Sequence, residues 1–427
     1  MHDFRSIILV FSLGLLAFGV FMGGWAIASG QILLFLVCLS TPFGKAPEEG
    51  GWIRPLKKVP RSIFGLIAVL LVSLLSCLFI ADSPEAGFHL AKKLRYLFFP
   101  ILLILVAPCY ALLSRYRIPI AQFCVLALSL GIVLSTVSGL IGHFTGFNPL
   151  LLGDQPYPTR NGGIYGMVMT YAYAMGIALL PFISLGLNPS LLKRLYPEKN
   201  ALFISTGVWI TIVIGMTGLY FSYTRGAVLG LIIGIAILLI IQRKWKWFVG
   251  IAALGLIVLS LSMASGSRFV SLKQPNQLLT TSHSERYSQW KTALGIFKEN
   301  PVTGVGYRQF FSNSVDYKKR HSFPKDQTRI VAGKPVSTWQ KSHAHNNLQE
   351  HLASTGIVGG LSFIAFCFFW TTETWKAPLS RVLIFPAIIS FLLSGMFENT
   401  FFDSEVITMI LICYVSSVLL SEGHPVE

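Results

Sequence analysis

Apolar runs of roughly 16 to 24 residues recur from one end of this chain to the other, and a run of that length crosses a bilayer as a helix. They begin near Ser6, Gly24, Ser62, Leu94, Ile118, Gly162, Ala201, Ala227, Trp247, Ala353, Leu379 and Phe402. The pattern predicts an all-α polytopic membrane protein of about twelve transmembrane helices. Of the 427 residues, 53% are hydrophobic and 12% charged, against about a quarter charged in ordinary soluble domains. That balance excludes a soluble enzyme, a disordered chain and a disulfide scaffold. Cys38, Cys77, Cys109, Cys124, Cys367 and Cys413 all sit inside apolar runs without ligand spacing and read as small core residues. Arg5, the apolar stretch behind it and Ala26-Ile27-Ala28 imitate a secretory signal, but cleavage there leaves the topology that follows unchanged.

The formal net charge of +16 would suit a nucleic acid were it gathered in one patch. Most of the cations lie between the apolar runs, so no nucleic-acid partner is expected. With the N-terminus in the cytoplasm, sixteen Lys and Arg fall in the inside segments and five in short outside segments. That asymmetry satisfies the positive-inside rule and puts both termini in the cytoplasm. The five outside cations are Lys92, Lys93, Arg95, Arg160 and Arg225, and topology disfavours them there. The remaining thirteen occupy one long outer loop, residues 265–346, whose four acids leave it at +9. The chain therefore divides into helices 1–9 (residues 1–264), the loop (265–346) and helices 10–12 (347–427). Cations held at the outer face point to an anionic ligand, with solvated surface or lipid head groups as the plainer explanation for Lys318-Lys319-Arg320.

Within the loop, Ser282-His283-Ser284-Glu285 has capping-box spacing, predicting a helix to Asn300 that Pro301 ends. Arg286 then heads an apolar stripe of Trp290, Ala293, Leu294 and Phe297, which could lie on the membrane surface or cover the bundle. The segment Pro301-Val302-Thr303-Gly304-Val305-Gly306 only loosely resembles a phosphate-cradling glycine loop. Phe221 to Gly226 is a very tight outer turn that forces Arg225 close to the bilayer, with Glu398 a candidate partner. Just before the tenth span stands Lys341-Ser342-His343-Ala344-His345-Asn346-Asn347-Leu348-Gln349. A helix starting near His345 would put Gln349 and Leu352 on its face. An imidazole at the boundary can take a proton from a hydroxyl, which the lysines around it cannot readily do. Zinc on His343, His345 and His351 is the competing reading, but the spacing matches no zinc motif. Outside the cytoplasm there is no nucleotide pool, so group transfer there needs a lipid-borne donor. A polyprenyl pyrophosphate sugar meets that need: arginines can stabilise its leaving group without metal while histidine activates the acceptor hydroxyl.

Three segments together resemble the O-antigen ligase and polymerase superfamily of bacterial envelope glycosyltransferases. They are Tyr223-Thr224-Arg225-Gly226-Ala227; residues 286–290 running into Asn300-Pro301-Val302-Thr303-Gly304-Val305-Gly306; and His345-Asn346-Asn347-Leu348-Gln349 with Thr355-Gly356-Ile357-Val358-Gly359. The close resemblance covers residues 221–360 and the rest only as a span pattern. It implies a GT-C-like, twelve-helix enzyme of the bacterial inner membrane. Such an enzyme transfers a glycan from undecaprenyl pyrophosphate at the periplasmic face, inverting the anomeric carbon, with no cofactor and no metal. A ligase uses lipid A-core as acceptor. The resemblance makes His345 the base and gives pyrophosphate to Arg225 and Arg286. It sets Lys92, Lys93, Arg95 and Arg160 near the carrier lipid, and Tyr223, Trp290, His343, Asn346 and Gln349 complete the expected substrate contacts among the membrane lipids. Polymerase and protein O-oligosaccharyltransferase share these motifs. A lipid or polysaccharide transporter, the rival from another class, would need ionisable residues midway through the spans, where they are nearly absent.

Overall fold

The computed structural model describes residues 4–40, 52–80, 84–197, 201–246, 249, 284–323, 329–331, 334–336 and 343–421. The helix Val168–Leu187 is apolar on every side and so has no face to turn outward; 89% of its 18-residue apolar stretch is buried inside the bundle. Helices Ala201–Ser222, Arg225–Ile241 and Ser404–Ser421 pack around it. Phe4–Met22 pairs with Gly24–Ser40 and Arg117–Thr145, and Arg61–Phe79 runs along Asn347–Lys376. Small residues let these backbones approach, as association in lipid requires. At Gly65, for instance, a Cβ would stand 2.6 Å from the Phe366 backbone nitrogen.

Among the described residues, seven helices are long and apolar enough to span a membrane, and three shorter apolar ones accompany them. The protein is a multi-pass, all-α membrane protein. Helix is found at every expected span except the one from Trp247, almost all of which lies outside the described residues together with the loop up to residue 283. Two spans depart from single rods. The one from Leu94 divides into Arg95–Leu105 and Ala107–Arg115 across an extended Val106, because Pro108 favours the first turn of a new helix. The one from Leu379 divides into Pro378–Leu383 and Phe385–Ser394, with Pro386 acting likewise. The span expected from Gly162 starts as a helix only at Val168.

The expected loop helix is present as Ser284–Glu299; Ser282 and His283 of the capping box lie outside the described residues. Its buried face is Gln289, Thr292, Ala293 and Ile296, whereas Leu294, placed on the apolar stripe by sequence, is exposed. The reason is its neighbour: the helix packs on Asn347–Lys376 and, through Ala293 and Ile296, on Phe310, Tyr317, Ala344 and Ala353. In the run 318–320, Lys319 and Arg320 are exposed as expected of solvated surface, but the first residue is not. Lys318 is buried, and Arg320 joins His321 on Glu299 at 3.0 and 2.7 Å.

The glycine segment 301–306 is a backbone joint. Val305 N and Gly306 N donate to Ala353 O and Ser354 O at 2.9 Å each, and Ile357 N donates to Pro301 O at 2.8 Å. The long helix unwinds at Gly356 (φ 67°, ψ −165°) to receive it. A Cβ on Gly304 would lie 2.4 Å from Ser354 C, and one on Gly356 2.1 Å from Val302 O. Both positions need glycine for φ and for closeness. With those N–H groups engaged, the segment holds the outer helix to the membrane helix and does not cradle phosphate. The helical ends carrying Lys93, Arg225, His345 and Glu398 all gather at this end of the bundle.

Candidate active site

The histidine segment ends against a helix start. Asn346 is the N-cap, accepting from Gln349 N at 3.0 Å, so the helix begins at Asn347 and His345 stands just before it. This differs from the expected start near His345 and removes Gln349 and Leu352 from a shared face with the imidazole. His345 takes φ 50°, a left-handed conformation uncommon for a side-chain-bearing residue. Two neighbours hold it there. Ala344 N donates to Glu350 Oε2 at 2.8 Å, while Asn347 donates to Thr400 Oγ1 at 2.9 Å and accepts from Phe401 N at 3.0 Å. Asn347 thereby ties the histidine segment to the loop 395–403.

That loop brings in Glu398, whose Oε1 lies 2.9 Å from His345 Nδ1 and 3.7 Å from His343 Nε2. Glu398, a candidate partner of Arg225 on sequence grounds, meets the two histidines here. Its carboxyl is 7% exposed. Burial opposes its ionisation, but the hydrogen bond from His345, the two imidazoles and the Asn399 N–H hold it below the ordinary carboxylate range. With a carboxylate on Nδ1, the Nδ1–H tautomer is favoured and Nε2 is the nitrogen able to accept a proton. His343 rests its ring on Phe311, and burial chiefly lowers its pKa below the usual histidine value. His351 is elsewhere, enclosed by Phe363, Phe401 and Phe402, so the three-histidine set of the competing zinc reading does not form. Among the described residues, the cluster close enough to hold an ion is His343, His345 and Glu398.

The arginines approach the same group through Tyr173 of the central helix. Both Glu398 and Arg286 lie within electrostatic reach of its phenol. A Cβ on Gly226 would stand 2.5 Å from Tyr173 Oη, so the turn carrying Arg225 presses against the same hydroxyl. Helix register agrees. Gly230 faces Ser394 and Ser390 and Gly234 faces Pro386, an antiparallel packing that carries Arg225 toward Glu398. Arg225 opens its helix and is exposed, and Tyr223 before it takes φ 52° within an aromatic group of His143, Tyr220 and Phe221. Trp290, one turn beyond Arg286, buries an indole N–H with no acceptor among the described residues.

The other expected ligand residues separate. Arg160 donates from Nε to Ser222 O at 2.8 Å and from Nη2 to Thr224 Oγ1 at 3.0 Å, clamping the turn that sets Arg225. Lys92 lies over Phe88 and Arg95 over Tyr96. Lys93 lines a small cleft with Tyr307, Arg308 and His351. Asn346 is a cap, and Gln349 buries an Oε1 without a partner among the described residues. Sequence reasoning missed Glu350, Tyr173, Arg308 and the pairing of Glu398 with His345. Arg308 (φ 59°) donates to Phe402 O at 2.9 Å and lies within electrostatic reach of His343. The left-handed backbone of Arg308 has no sequence signal, and Glu350, directly after Gln349, carries no motif of its own.

Residues 210–364, roughly a third of the chain, match the family model described as O-antigen ligase. That match supports the chain's membership of the O-antigen ligase and polymerase superfamily. Its matched region contains Arg225, Arg286 and His345, and Glu398 lies beyond it. Members of this family are glycosyltransferase-like enzymes that act on polysaccharide and lipid substrates in a membrane. No curated protein matches the chain.

Proposed function

We propose that this superfamily member is an O-antigen ligase, transferring a glycan from undecaprenyl pyrophosphate to a hydroxyl of lipid A-core at the periplasmic face of the inner membrane. The observation that carries the reading is the His345–Glu398 pair at 2.9 Å, set beside the elements that bear Arg225 and Arg286. In this scheme Nε2 of His345 takes the proton of the acceptor hydroxyl, and the oxygen attacks the anomeric carbon from the side opposite the pyrophosphate. The bond from that carbon to the phosphate oxygen breaks with inversion, and its electron pair leaves on undecaprenyl pyrophosphate. Arg225 and Arg286 meet that developing charge with planar guanidinium donors, so the scheme needs no metal and no cofactor. Glu398 keeps the tautomer and supports the imidazolium that forms. Tyr223, Trp290, His343 and Gln349 border the substrates, and Lys93 with Arg308 offers a cationic wall for a phosphate of either lipid.

Expression in a bacterial strain lacking its own O-antigen ligase tests the acceptor. Restored glycan on lipid A-core is the expected result. Altered glycan length on the carrier lipid alone would assign the protein to polymerisation, and glycan appearing on protein would assign it to O-oligosaccharyl transfer.

A further inference from the structure

We propose that His343, His345 and Glu398 also form an inhibitory site for zinc, an inference that rests on His345 being the base. One ligand atom from each of the three lies within 4.8 Å of the others. A tetrahedral zinc with bonds of about 2.1 Å sets its ligand atoms about 3.4 Å apart. The separations of 2.9 and 3.7 Å from Glu398 Oε1 to the two imidazoles straddle that value, so the ion fits with small side-chain shifts. Glu398 is more than nine-tenths buried, and its Oε2 has no partner among the described residues, an acceptor that a cation would satisfy. His343 is 36% exposed, which leaves an entry path and a place for water as the fourth ligand. Two imidazoles and one carboxylate suit zinc better than magnesium or calcium, which prefer all-oxygen sites.

Inhibition follows from the tautomer. Zinc on Nδ1 of His345 occupies the lone pair there and displaces the Nδ1 proton, so the neutral ring carries its proton on Nε2. That nitrogen is then a donor and cannot accept the proton of the hydroxyl. The ring's proton count is unchanged, and the ion simply exchanges the base for a non-base.

The test uses full-length protein in detergent, freed of metal. Cobalt titration should give the visible bands of a tetrahedral site at one equivalent, and zinc should remove them. His343→Ala and Glu398→Gln should each weaken cobalt binding by at least about tenfold, the loss that even outer partners of a metal site produce. Transfer by wild type should fall as zinc fills the site and return on chelation. Absence of the bands in wild type, or binding unchanged in both folded variants, would overturn the proposal. So would transfer that chelation abolishes and zinc restores. The reading of His345 as base fails by a different result, full transfer by His345→Ala in chelated buffer.

Discussion

Replacing His345 with alanine lowers glycan transfer by about 10²- to 10⁴-fold, the range of a lost general base, while membrane insertion and protein level stay at wild type. The measurement is transfer from a purified carrier-linked glycan to acceptor, with size-exclusion behaviour as the folding control. Wild-type rates would move the base to another group. The large effect is expected because the imidazole is held at every side: its backbone by Glu350 and Asn347, its Nδ1 by Glu398. The acid side of the pH response follows from the sign of the Glu398 shift. Its folded pKa is depressed, so the stability it contributes is present above the unfolded carboxylate value and is lost as pH falls through the lower folded value. Acidification to mildly below neutrality should thus leave the loop 395–403 in place.

Arg225→Ala and Arg286→Ala each lower turnover by about 10²- to 10³-fold, the scale of a removed donor at a site of developing charge. Lysine at either position recovers only part, because a single ammonium does not match two phosphate oxygens as a fork does. Turnover at saturating donor, measured for alanine and lysine variants side by side, checks this. Lysine variants equal to wild type would reduce these arginines to general positive charge.

The spans are legible because apolar length is a local property, and the helix Ser284–Glu299 because its proline stop is local too. Breaks at Val106 and Ile384 carry a local signal in Pro108 and Pro386, but long apolar runs mask it. The candidate site is legible only in its motif residues. Glu398 lies 53 positions from His345, and no spacing rule links a carboxylate after one span to an imidazole before another. Glycines 304 and 356 look like parts of a phosphate loop and a span. Their use is mutual, each needing the other's backbone, which only the folded chain reveals. Arg160 likewise has the sequence setting of a ligand residue, and nothing in the sequence shows that two of its donors also hold the turn before Arg225.

A structure with undecaprenyl pyrophosphate bound tests the central claim most directly. The account predicts diphosphate oxygens within hydrogen-bond reach of both Arg225 and Arg286, with the first sugar carbon turned toward Nε2 of His345. Diphosphate seated among Lys93, Arg308 and His351, with Arg225 and Arg286 apart from it, would contradict the account.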